Sequence, residues 1–254
     1  MKRFLIKSNY FFTLLGVIIS SQAFSQVATN DSAYLATRIN NLISQYDQAI
    51  GDQKILFNGK EYLTYDKYYL KGHQFFRSGE EQEGDVYYDG YLFTNVPLLY
   101  DVLLDQIVIS EPNGSLLFKL ENKKVNYFKV HDHTFIRLAA DTLSESPVKT
   151  GFYDLLVDGK TKLLAKRVKR VYEDATIRGM EGEFITEDRF FIRKNDQYYP
   201  VSKKKAVLKI LTDNKKELQK YSRNQHLKFK KETREYALVK LIQYYNNLPP
   251  GKSP

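Results

Sequence analysis

The chain contains no cysteine, and that one absence closes several routes at once. There is no disulfide to staple the fold, no thiolate to act as nucleophile or zinc ligand, and no cysteine to acylate at a signal-cleavage site. Tryptophan is also missing, so the aromatic load rests on twenty tyrosines and sixteen phenylalanines. No G-x-S-x-G occurs, and Ser110, Ser144 and Ser146 stand in no motif that would make one of them a nucleophile. No cofactor fingerprint is present. Apolar runs are short: the one around Phe11 to Phe24 falls below the ~20 residues a membrane-spanning helix needs, and nothing later approaches it. An outer-membrane barrel is not expected, because its strands need ~9–11 residues with one apolar face and most runs here are shorter.

What is present begins with an address. Lys2, Arg3 and Lys7 make a positive n-region, Phe11 to Ser20 an apolar h-region, and Ala23-Phe24-Ser25 an A-x-A-like cleavage site before Gln26. Residues 1–25 therefore read as a signal peptide, and the mature protein as periplasmic or secreted, soluble or peripherally attached, with no transmembrane segment. The 229 residues that follow suffice for one large domain, or one domain with an appended subdomain. Hydrophobic residues at 43% with 27% charged are globular values, which argues against wholesale disorder.

The positive charge is concentrated. Between Lys203 and Lys240 stand thirteen cations against Asp213, Glu217, Glu232 and Glu235, a net of +9, while the rest of the chain after residue 25 nets −3. Lys203, Lys204, Lys205, Lys209, Lys215, Lys216, Lys220 and Arg223 are the candidate anion-binding surface. Outside the cytoplasm the abundant anions are lipid head groups, followed by polyanionic glycans. Few aromatics, Tyr221 and Phe229 among them, interleave with these cations, too few for base stacking, so no specific nucleic acid is expected.

The pattern along the chain divides it into residues 1–25, a segment 26–52, a body 53–201 and a tail 202–254. Leu35, Ile39, Leu42, Ile43, Tyr46 and Ile50 form one apolar stripe, which predicts an amphipathic helix over about 32–49 packed on the body. The body reads as short apolar runs separated by Asn58-Gly59, Asp89-Gly90, Asn113-Gly114 and Asp158-Gly159, dipeptides that tolerate the positive φ of tight hairpins. Antiparallel pairing of 85–88 with 91–94 and of 152–157 with 160–166 follows, as does a hairpin turning at Asn195-Asp196. The tail returns to a helical period, with starts at Ser202 and Asn214 and a last helix over about 233–247. The expected fold is α+β: an antiparallel β-meander, curled, barrel-like or sandwiched, with an N-terminal amphipathic helix and a C-terminal helical segment.

Four stretches carry a resemblance: Leu56-Phe57-Asn58-Gly59-Lys60-Glu61-Tyr62, Gly72-His73-Gln74-Phe75-Phe76, Tyr88-Asp89-Gly90 through Pro97-Leu98-Leu99-Tyr100-Asp101, and Gly151-Phe152-Tyr153 through Lys166-Arg167. Together they resemble a family of uncharacterised secreted proteins of Bacteroidetes-type bacteria, over most of the chain after residue 25. The resemblance implies lineage and brings no activity to named residues.

Candidate chemistry is sparse. If the strand of Val125 to Val130 continued, His131 and His133 would project from one face, and with His73, Asp132 or a glutamate could form a weak metal or polar site. The alternative is that both sit at a strand end in solvent or bond to neighbouring backbone. Asp85, Asp89, Asp101, Asp105 and Asp154 could supply paired carboxylates for acid–base work, although turn and capping roles account for several of them. The adjacent tyrosines Tyr68-Tyr69, Tyr87-Tyr88 and Tyr198-Tyr199 suit either cross-strand packing, the favoured reading, or a displayed binding surface. No catalytic residue, metal or cofactor is assigned. The sequence thus points to an exported, non-catalytic binding or envelope-associated structural protein meeting an anionic envelope surface or another envelope protein. A periplasmic carrier of an apolar ligand is the alternative, and a hydrolase a third.

Overall fold

The structure is a computed structural model that describes residue 38, residues 55–111, 116–140 and 146–249. Two compact units are present, Met1–Ile55 and Leu56–Pro254. In the first, Arg38 is helical; the rest of the expected helix over 32–49, and the signal-peptide pattern, lie outside the described residues.

In the second unit the described residues form fourteen strands and three α-helices. The strands are β1 (Lys60–Glu61), β2 (Leu70–Lys71), β3 (Gln82–Tyr88), β4 (Tyr91–Asp101), β5 (Gln106–Ser110), β6 (Leu117–Lys119), β7 (Val125–Val130), β8 (His133–Leu138), β9 (Gly151–Val157), β10 (Lys162–Lys166), β11 (Lys169–Thr176), β12 (Gly179–Thr186), β13 (Arg189–Lys194) and β14 (Gln197–Val201). The helices are α1 (Lys204–Ile210), α2 (Lys215–Asn224) and α3 (Arg234–Asn247). Eleven strands make one antiparallel sheet in the order β1-β6-β5-β4-β3-β7-β8-β9-β10-β13-β14; β11, β12 and β2 make a second, in which β2 runs parallel to β12. The large sheet is mostly a meander, as expected, but β1 and β14 do not pair with each other, so it is open rather than a closed barrel.

Turn chemistry explains most of the hairpins. Asp89 and Gly90 sit at φ 51° and 90° and close the pair Tyr88–Tyr91, and Asn195-Asp196, at 50° and 60°, close Lys194–Gln197. Strand β7 stops at Val130, and His131-Asp132 form the turn into β8, with His131 at φ 52°. β9 and β10 pair antiparallel, but their connection is longer than Asp158-Gly159 alone. It is held by Asn246 of α3, whose amide bonds Thr161 N–H at 3.1 Å and Thr161 C=O at 2.8 Å. Asn58-Gly59 is no hairpin: it leads into β1, which pairs with β6 some sixty residues away, and an added Cβ on Gly59 would stand 2.0 Å from Lys119 O. Asn113-Gly114 falls outside the described residues, between the paired strands β5 and β6. Gly90→Ala isolates the backbone term, since an added Cβ meets nothing within 4 Å. It is expected to lower stability by about 1 kcal/mol, read as a reduced urea midpoint at unchanged slope.

The core alternates across the strands. Leu163 and Ala165 face the helices, whereas Leu164 packs on the opposite side with Val148, Tyr153 and Phe191. Towards the middle of the sheet Tyr100, Phe128, Phe135 and Phe152 are fully buried. Phe128 and Phe135 are cross-strand partners stacked at 4.8 Å, and Tyr100 lies 4.8 Å from Phe135. In Tyr87-Tyr88 the alternation appears directly: Tyr88 is buried, and Tyr87 stacks on Tyr127 at 5.7 Å on the other face.

Candidate functional site

The three C-terminal helices pack on the sheet through Val207, Leu208, Leu211, Leu218, Leu238, Leu241, Ile242 and Tyr245, against Val157, Leu163, Ala165, Phe190, Ile192 and Val201. The tail is therefore part of the same core as the body. None of the helices has a side-chain cap: the residue before α1 is Lys203 rather than Ser202, and Asn214 and Thr233 precede α2 and α3 without a capping bond. Packing holds these helices in place of caps.

A buried ion network pins α3. Arg167, just past β10, has a side chain only 7% exposed, and each of its five N–H groups has an acceptor. Nε and Nη2 donate to Asp154 of β9, Nη1 to Asp188 before β13 at 2.7 Å, and Nη1 and Nη2 to Glu235 in the first turn of α3. Burial opposes the charge on Arg167, but the bonds to Glu235 and the Asp154 and Asp188 carboxylates outweigh it and raise its pKa. Phe76 covers the guanidinium at 5.6 Å. Beside it lies a cleft of about 410 Å³ lined by Phe76, Arg77, Lys169, Thr186, Asp188 and Glu235 among others. Carboxylates do converge there, but on a shared cation with no N–H left for a substrate.

Two of the histidines, His131 and His133, gather around the same phenylalanine. His133 Nδ1 lies 2.6 Å from Asp154 Oδ2, and the rings of His133 and His131 meet Phe76 at 5.1 and 6.0 Å. His73 stacks on Phe75 at 6.2 Å. Burial lowers the pKa of His73 and His131, with Lys169 and Arg77 adding to the effect. Among the described residues no group of three or more His, Cys, Asp or Glu is placed to hold a metal ion. Asp101 is a buried turn cap, accepting from Leu103 N, Leu104 N and the Tyr62 hydroxyl. Asp105 accepts from Tyr100 and Lys166 at 2.6 Å each, while Asp85 and Asp89 meet the exposed Lys129 and Lys124.

The basic segment looks different once its acids are placed. Asp213 is taken by Lys194 of β13 at 2.8 Å and by the Tyr245 hydroxyl at 2.7 Å; although burial opposes its charge, these bonds lower its pKa. Glu235 is taken by Arg167. That leaves Glu217 and Glu232 beside the thirteen cations, none of which makes an ion pair among the described residues. Lys203, Lys205, Lys209, Lys215, Lys216, Lys220 and Arg223 are exposed, and Lys204 is half-buried. Lys205 and Lys209 are four apart on α1, and Lys216, Lys220 and Arg223 form one stripe on α2, whose opposite side buries Leu218 and Ser222. Like charges at this spacing, and cations in the first turn of a helix, destabilise it. Lys216→Glu should therefore raise stability by about 0.5–1 kcal/mol in urea unfolding. If the stripe binds anions, the same change should weaken that binding by about tenfold or more.

Arg167 and its partners were not foreseen as a unit. The one local signal is an arginine two residues after the apolar run Leu163-Leu164-Ala165, beyond Lys166, where a charge needs partners.

No family model matches this chain, and neither a curated protein nor a solved structure does. Among the described residues no helix is long and apolar enough to cross a membrane.

Proposed function

We propose that the protein is exported and acts without catalysis, binding an anionic envelope surface through the helical segment that carries Lys203 to Arg223. The observation that carries this reading is the segregation of charge: two of the four acids between Lys203 and Lys240 neutralise Lys194 and Arg167, and the exposed cations from Lys203 to Arg223 make no ion pair among the described residues. A face serving only solvation gains from mixed signs along a helix, whereas the stripe on α2 keeps one sign at a cost in stability. The n-, h- and c-region pattern of residues 1–25 and the resemblance to secreted proteins support export. A carrier finds less support, because aromatic rings fill the middle of the sheet where an apolar ligand would need space.

Fractionation of the native host tests the proposal. The protein is expected to begin at or near Gln26, to sediment with envelopes at low ionic strength and to be released by a high-salt wash. A chain retaining Met1 in the cytoplasm would refute export, and salt-resistant attachment would refute the electrostatic contact.

A further inference from the structure

We propose that β11 is an interface between two copies of this chain, paired antiparallel, edge to edge, across a two-fold axis. The large sheet protects both its edges: β1 is two residues long, and β14 carries Pro200, which has no N–H to offer. By contrast β11 runs eight residues in unbroken register with β12, with neither proline nor bulge, and lies at the end of its sheet.

The hydrogen-bonding direction of each residue follows from the turn. Ile177-Arg178 is a two-residue connection closing Thr176–Gly179, so Thr176, Asp174, Tyr172 and Arg170 turn their amides to β12. Val171, Glu173 and Ala175 turn theirs outward. Two observations agree with this phase: Lys169 N–H points away from β12 to Val102 O at 3.4 Å, and on the far side of β12 Gly182 N–H meets Tyr69 O at 3.2 Å. The outward groups of Val171, Glu173 and Ala175 have no backbone partner among the described residues.

Charge selects a second copy as the occupant. The strand is basic at its start, Lys169-Arg170, and acidic further on, Glu173-Asp174, so reversal brings opposite signs together. With Tyr172 facing Tyr172 of the second copy, Arg170 lies opposite the other copy's Asp174 twice, and Val171 and Glu173 exchange main-chain bonds; the ladder ends there, because Lys169 N–H, opposite the other copy's Ala175, is already given to Val102 O. Shifting by one pair would set Glu173 against Glu173, or rely on Lys169, whose Nζ is held by His73 O and Phe75 O. Arg170 is bound by Glu187 only through Nε, which leaves both Nη groups. Asp174 is exposed, makes no ion pair among the described residues, and lies directly across the ladder from Glu181, whose own cation is Arg178 at 3.6 Å; a second copy's Arg170 would give Asp174 its partner. Ile177 and Met180, exposed at the tip, flank this edge.

Sedimentation velocity of the purified protein over concentrations bracketing the micromolar range is expected to show a monomer–dimer equilibrium. Asp174→Arg should weaken it by about tenfold or more, and adding Arg170→Asp should restore it by reversing both pairs. Circular dichroism should be the same for all three proteins, both sites being exposed. A monomer at every concentration, whether the edge is idle or covered by another part of the chain, overturns the proposal. So does a dimer indifferent to Asp174→Arg, or one the second substitution fails to rescue.

Discussion

Replacing Arg167 with leucine is expected to lower the unfolding free energy by about 3–5 kcal/mol, because it leaves Asp154, Asp188 and Glu235 facing one another without their cation. Asp154 is 1% exposed and cannot recover the loss from water. Lysine at the same position keeps the charge but offers three donors in place of a planar fork of five, so Arg167→Lys should fall between leucine and the parent. Glu235→Gln should cost less than Arg167→Leu, since that side chain is 36% exposed. Urea unfolding measures the order, and amide exchange locates it: α3 should lose protection first in Arg167→Leu. A leucine variant within about 1 kcal/mol of the parent would show that the network does not hold the helices.

Converting Lys203, Lys204 and Lys205 together to glutamine should weaken binding to acidic vesicles by roughly a hundredfold, at about 1 kcal/mol per cation near a charged surface. The fold should survive, because Lys203 and Lys205 are exposed, Lys204 is half-buried, and none of the three forms an ion pair among the described residues. Exposed substitutions of this kind usually change stability by less than ~0.5 kcal/mol each. Equal loss of vesicle binding and of thermal stability would instead mean that the variant is unfolding.

The hairpins at Asp89-Gly90 and Asn195-Asp196, and the three C-terminal helices, were legible in the sequence because each depends on neighbours a few residues apart. Asn58-Gly59 carried the same dipeptide signal, yet its strand pairs across some sixty residues, and no local rule ranks such a partner. The turn at Ile177-Arg178 was missed for the opposite reason: its two central residues are poor turn formers, and the positive φ it uses, 115°, belongs to Gly179 after them. The ion network was illegible since Arg167 draws partners 13, 21 and 68 positions away. The charge of the tail was legible, but not the withdrawal of Asp213 and Glu235 to internal cations, which leaves the outer face more basic than the sequence sum.

The central claim, that the C-terminal helical face is an anion-binding surface, is tested most directly by flotation of the protein with neutral vesicles and with vesicles containing acidic lipid, at low and physiological salt. Binding should occur with acidic vesicles alone and fall steeply as the screening length shortens to ~8 Å. Equal binding to both vesicle types, or none at any salt, would contradict the account and leave the exposed cations of α1 and α2 as a solvated surface.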